Sequence, residues 1–144
     1  MGIKNLQAIR RCGRKRFNVV DVLGLVLALR LTSANVGERA GALLLFTALG
    51  NRFTRLKTIL ADQGFDGVDF LTTVKEAYQL TVTCGVLGVK GFQVVPKRWI
   101  VERTFGWWAF HRRLAKDYEV KKSHAEAIMY WTMIRLMSRK VRGT

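Results

Sequence analysis

The sequence predicts a mixed α/β domain with helices packed on a sheet, and three observations carry that prediction. Hydrophobic residues fill 49% of the 144 positions, enough for a core in one domain of ordinary size. Runs rich in Val, Leu and Ile alternate with stretches whose apolar residues repeat at helical spacing. Glycine, aspartate and the single proline punctuate those runs. Taken along the chain, the pattern reads β-β-α-β-α-β-α-α, the order of helices layered on a sheet.

Residues 1–16, MGIKNLQAIRRCGRKR, hold six basic residues and no acid. That composition suits a mobile arm on a phosphate backbone or a solvated tail, so the domain is expected to begin at residue 17. FNVVDVLGLVLALRLTSA reads as a hairpin, with strands near 17–21 and 25–33 around a turn at 22–24. Its apolar piece LGLVLALRL is too short to span a bilayer and is bounded or interrupted by Asp21 and Arg30, so it is expected as a buried strand. Glu38 and Gly50 bracket a helix over about 38–49. A strand near 56–61 stops at Asp62 and Gly64, and a helix follows with Asp66 as its N-cap. LTVTCGVL supplies a strand near 80–84, and the three glycines of GVLGVKGFQV mark a loop. Pro96 opens a helix over about 97–114. Ser123 and Glu126, at capping-box spacing, open a last helix to about 139.

The formal net charge is +15, from 25 basic and 10 acidic residues. Such a surplus repels itself unless a polyanion shares the surface, which makes nucleic acid the default partner. Acidic membranes attract similar chains, and ribosomal proteins have similar totals, so charge names a partner class and no reaction. Cys12 and Cys84 are far apart and belong to no CxxC or Cys/His cluster. They are read as reduced thiols in a cytosolic protein without a zinc site.

Two acids stand out. Asp62 falls at the C-terminal end of a strand, the edge of an α/β sheet where ligands bind; an aspartate before Gly64 is equally explained as a turn former. Glu102 lies in PKRWIVERTFGWWAFHRRLAKDYE, among basic and aromatic residues. At helical spacing, Val101, Phe105 and Trp108 share one face, Arg103, Trp107, Phe110 and Leu114 the other, and Glu102, Gly106, Ala109 and Arg113 a narrow strip between. An unobstructed carboxylate there fits a metal-and-phosphate site; a surface pair with Arg98 explains it as well. Carboxylates from several elements could hold two Mg²⁺ ions about 4 Å apart, while Asp21 reads as a hairpin-turn residue. Arg98, Arg103, Arg112, Arg113 and Lys116 could contact phosphates. Trp107 or Trp108 could stack on an unpaired base, although aromatics at this spacing are commonly core.

PKRWIVERTFGW followed by HRRLAKDYE resembles the C-terminal signature of the IS5-type insertion-sequence transposases, within the IS4-like DDE group. GRKRFNVVDVLGLVL resembles that family's basic stretch, strand and Asp-x-Leu-Gly turn, ILADQGFDG its second catalytic segment, and HAEAIMYWTMIRLMSRK its terminal helix. The resemblance runs from Gly13 to Lys140. It implies a ribonuclease-H-like fold and Mg²⁺- or Mn²⁺-dependent cutting and joining of DNA, with Asp62 and Glu102 as catalytic metal ligands and Arg98 as the arginine four positions before the glutamate. The motif's tyrosine and lysine would fall at Val95 and Ala109.

The resemblance also implies a first catalytic aspartate upstream of GRKR, and residues 1–12 contain no acid. The chain is therefore expected to be the C-terminal part of the catalytic domain, missing its first strand, with the strand replaced in part by residues 1–12 or supplied by another polypeptide. Its partners would be insertion-sequence ends and target DNA, with a homo-oligomer or a complementing upstream polypeptide possible. A non-catalytic DNA-binding remnant that interferes with intact transposase is the alternative, and an unrelated basic RNA-binding protein a third reading.

Overall fold

The structure, a computed structural model, describes residues 3–11, 13–84 and 99–142. Its strands are β1 (Ile3–Arg11), β2 (Arg14–Val20), β3 (Val26–Ser33), β4 (Thr58–Ala61) and β5 (Thr81–Cys84). Its helices are α1 (Glu38–Leu49), α2 (Val68–Tyr78), α3 (Trp99–Ala109) and α4 (Lys122–Arg142). One five-stranded sheet runs β3-β2-β1-β4-β5. β1, β2 and β3 are antiparallel neighbours, whereas β1, β4 and β5 are parallel.

The expected gap at the first strand is closed by the chain itself. Residues 3–11 lie at the centre of the sheet, registered with β2 from Asn5↔Val20 to Arg11↔Arg14 and with β4 from Ile3↔Thr58 to Leu6↔Ala61. The stretch read as a basic arm thus contains β1 and the start of β2. A central strand satisfies its N–H and C=O groups on both edges. That backbone pairing is indifferent to the Lys and Arg content that made the segment look like a tail.

Alternation along the strands divides the molecule into two layers of helix. Phe17, Val19, Ala28, Ile59, Ala61 and Val82 face α1 and α2 in a core that includes Leu45, Phe46, Phe65, Phe70 and Val74. Val20, Leu29 and Leu31 face the other way, towards Ile100, Val101 and Trp108 of α3 and Ala125, Met129 and Met133 of α4. Trp108 and Phe105 are packing residues there, with ring centroids 5.5 Å apart at an interplanar angle of 72°.

Three local expectations change. Gly67, and not Asp66, holds the N-cap position of α2; the Asp66 carboxylate accepts the Gly67 N–H at 2.8 Å. α3 ends at Ala109 because His111 turns to extended backbone (φ −85°, ψ 114°), which lets Leu114 re-enter the core from a 3₁₀ turn. Glu126 makes no capping box. Its carboxylate accepts the Leu31 N–H at 2.8 Å and pairs with Arg30 at 3.0 Å, tying α4 to the edge strand β3. The expected glycine loop, Pro96, Arg98 and Cys12 lie outside the described residues. No helix among the described residues is long and apolar enough to cross a membrane.

Candidate active site

Asp62 follows β4 directly, with extended backbone (φ −70°, ψ 162°). Alternation therefore continues through it: Ile59 and Ala61 enter the α1/α2 core, and Asp62 takes the face that carries α3 and α4. The turn after it is made by the main chain, Phe65 N–H donating to the Asp62 carbonyl at 3.0 Å, with Phe65 buried beneath. The carboxylate does not cap that turn and is half-buried. Turn former and candidate ligand are thus compatible roles carried by different atoms of one residue.

Glu102 sits in the first turn of α3 and is exposed. The helix is fixed by burial of Ile100, Val101, Thr104 and Trp108. One flank is locked to the β2–β3 hairpin tip. There the Asp21 carboxylate accepts N–H groups of Leu23 and Leu25 at 2.8 and 2.9 Å, which confirms Asp21 as a turn residue. Thr104 Oγ1 donates to the Gly24 carbonyl at 2.8 Å, and Arg103 donates to the Leu23 carbonyl at 2.7 Å. Gly24 has φ +79°, and a Cβ on it would come within 3.0–3.2 Å of Thr104, Arg103 and Trp107, so glycine is required twice over.

The same flank of α3 continues through Trp107 to a groove shared with α4. Glu102 lies about 140° around the helix from Trp107. α3 lies over β1 and β2, and α4 covers β3. Asp62 by strand alternation and Glu102 by its helix both belong to the α3/α4 face, and neither is sealed in a dry interior.

No third acid completes a metal-ligand cluster among the described residues. After the last registered pair, Leu6↔Ala61, the next positions on the two parallel strands are Gln7 and Asp62, and Gln7 is in turn registered with Asn18 of β2. Asn18 is fully buried, and among the described residues neither its Oδ1 nor its Nδ2 has a hydrogen-bond partner. Among the described residues no three of His, Cys, Asp or Glu come together as metal ligands. The donor set fits only part of a two-ion site.

One neighbour was missed by sequence reasoning. Cys84 ends β5, registered with Ala61, and its thiol is held above its ordinary pKa by burial first, then by the carboxylates of Asp66 and Asp62. It reports that this end of the sheet is locally negative in a strongly basic chain. Only the strand register reveals that proximity.

The expected phosphate contacts separate into two kinds. Arg103 is stacked between Trp99 and Trp107, 4.7 and 4.9 Å from their ring centroids, which ties it to the fold, and Arg113, itself exposed, pairs with Glu119 at 2.9 Å. Arg112 and Lys116 are exposed. Trp108 has no accessible surface and cannot receive a base.

Residues 3–137 match the family described as Transposase DDE domain. The chain belongs to the DDE transposases. It is 30% identical over 116 residues to "Putative transposase for insertion sequence element IS402" of Burkholderia cepacia, an alignment covering 76% of this chain and 55% of that protein. The chain thus spans about half the length of that relative. Its fold is similar to the catalytic core domain of BIV integrase, with a TM-score of 0.59 at 13% identity, over 92% of this chain and 80% of that one. This DDE transposase therefore has the ribonuclease-H-like α/β architecture, first strand included.

Proposed function

We propose that the chain is the C-terminal part of the catalytic domain of an IS5-type transposase, in the IS4-like group, which binds DNA through an incomplete metal site. The observation that carries this reading is the match of residues 3–137 to the transposase domain; Asp62 directly after β4 and Glu102 exposed in the first turn of α3 support it. The charge of +15 supports DNA as the partner, insertion-sequence ends and target alike. Phosphodiester cleavage and strand transfer by metal ions need acids from several elements. Asp62 and Glu102 are two such acids, and Mg²⁺ or Mn²⁺ would need a further donor.

The central strand offers the place for that donor. Gln7 follows Leu6 of the last registered pair, Leu6↔Ala61, as Asp62 follows Ala61, and it is a glutamine in the sequence. A complementing polypeptide or a second copy would thus need to bring an acid, not a strand. The same missing donor favours a second reading, a non-catalytic remnant that occupies DNA and interferes with intact transposase.

The test uses the full chain, a DNA duplex and Mg²⁺ or Mn²⁺. The wild type should bind DNA in a salt-sensitive manner and leave it uncut. Gln7→Asp should introduce metal-dependent nicking that Asp62→Asn or Glu102→Gln removes, together with a metal-dependent rise in Tm. Cleavage by the wild type, abolished by Glu102→Gln, would overturn the incomplete-site reading. An inert Gln7→Asp chain would select the remnant, and no DNA binding at low salt would sink both.

A further inference from the structure

We propose that the groove between the end of α3 and α4 is a second nucleic-acid contact, which takes a single-stranded segment on the flank of α3 away from Glu102. The inference rests on the reading of the chain as DNA-binding and assigns that binding a surface outside the acids. The groove encloses about 430 Å³ between Trp107, Phe110 and His111 on one side and Arg135, Leu136 and Arg139 on the other.

Its charge selects an anion. Arg135 and Arg139 are one helical turn apart and exposed, with no hydrogen bond or ion pair among the described residues. Like charges at that spacing repel in the free protein and are relieved by a bound anion. The nearby acids have other partners: Asp117 pairs with Arg14, Glu119 with Arg113 and Glu126 with Arg30. No acid occurs in the sequence after Glu126. A second copy of this chain would bring the same guanidinium groups and add repulsion.

Its rings select an unpaired base. Phe110 is 91% exposed where α3 ends and lines the groove, so its ring face is open to a ligand. The Nδ1 of His111 is buried and has no hydrogen-bond partner among the described residues. Trp107 already stacks on Arg103, which holds it rigid. A base lying on Phe110, with its phosphates at Arg135 and Arg139, uses all of these groups. A base paired within a duplex presents no open ring face and cannot.

The experiment measures anisotropy of a labelled oligothymidine of about 16 nucleotides, and of a duplex of equal length, over a salt series with the full chain. Arg135→Ala with Arg139→Ala should weaken single-strand binding at least about tenfold and flatten the log–log salt slope by about 1.4. Phe110→Ala should weaken the single strand about tenfold and leave the duplex within about twofold. Arg55→Ala, exposed in the segment before β4, should change neither by more than about threefold. All four side chains are exposed, and circular dichroism with Tm checks that each variant folds. Variants that bind the single strand like the wild type overturn the groove while DNA binding by the wild type stands. A wild type that binds neither probe overturns the DNA-binding reading itself. An oligomer that Phe110→Ala converts to monomer, read by light scattering, would make a second copy the occupant and also overturn the proposal.

Discussion

The two faces of the sheet are built on different terms. The α1/α2 face is a continuous apolar core, in which Phe17, Val19, Ala42, Leu45, Ile59 and Val74 have no accessible surface. The α3/α4 face buries Arg16, Asn18, Thr104 and Thr132 among its apolar residues, and leaves the Trp108 Nε1 and both amide atoms of Asn18 without partners among the described residues. It also carries both candidate acids and the exposed aromatic and cationic groove. The first face is almost wholly apolar, and the second mixes a core around Trp108 and Met129 with buried polar groups.

The largest effect should come from the apolar side. Phe46 is 1% exposed and stacks on Phe70 with centroids 6.4 Å apart. Phe46→Ala should cost about 3–5 kcal/mol, enough to lose the cooperative urea transition of a small domain. Gly41→Ala should also destabilise, although alanine favours helix, because a Cβ at Gly41 would meet the Phe17 ring. A Gly41→Ala chain as stable as the wild type would show that this face is looser than its packing implies.

The opposite face should answer with the opposite sign. Asn18→Leu replaces a fully buried amide, without partners among the described residues, by a side chain of similar size, and should raise stability by about 1–3 kcal/mol in urea. A destabilised variant would mean that Asn18 is satisfied by something bound in that layer. Arg103→Ala should cost less, about 1 kcal/mol, since it removes two cation–π contacts and the bond to the Leu23 carbonyl. Its signature is local: faster proteolysis at the Asp21–Leu25 hairpin tip with little change in global Tm.

Much of this contrast was legible in the chain. Helix and strand periods located α1, β3, β4, β5 and α4, because each has an apolar run that repeats at its own spacing. Of the expected strip, Glu102 and Ala109 are exposed on α3 and Gly106 is half-buried, while Arg113 lies beyond the helix end. β1 was hidden because a central strand is held by backbone pairing, and its Lys4, Arg10 and Arg11 read as a solvated arm. Glu126 was misread because capping-box spacing is a local signal, whereas its partners, Arg30 and Leu31, are about 95 residues away. The contact of Arg103 with the hairpin and the influence of Asp66 and Asp62 on Cys84 depend on tertiary register, which no short window encodes.

The smallest predicted effect is the most local probe of the candidate site. Burial and the carboxylates of Asp66 and Asp62 raise the Cys84 pKa, so the thiol should alkylate more slowly than a free cysteine at pH 8 in a Cys12→Ser background. Asp66→Asn should speed the reaction by a few fold, and Asp62→Asn by less, following the order of their contributions. The sign for stability runs with the thiol form. A folded pKa above the unfolded one gives a contribution present in full below the unfolded thiol pKa and lost as pH rises through the folded value. Mg²⁺ near Asp62 would cancel part of its field and lower the thiol pKa, so alkylation rate also reports metal. If two donors hold the ion too weakly, millimolar Mg²⁺ should leave the wild-type rate unchanged and raise it only in Gln7→Asp. A wild type that speeds up with Mg²⁺, and loses the response in Glu102→Gln, would mean that Asp62 and Glu102 already bind the ion without a third acid.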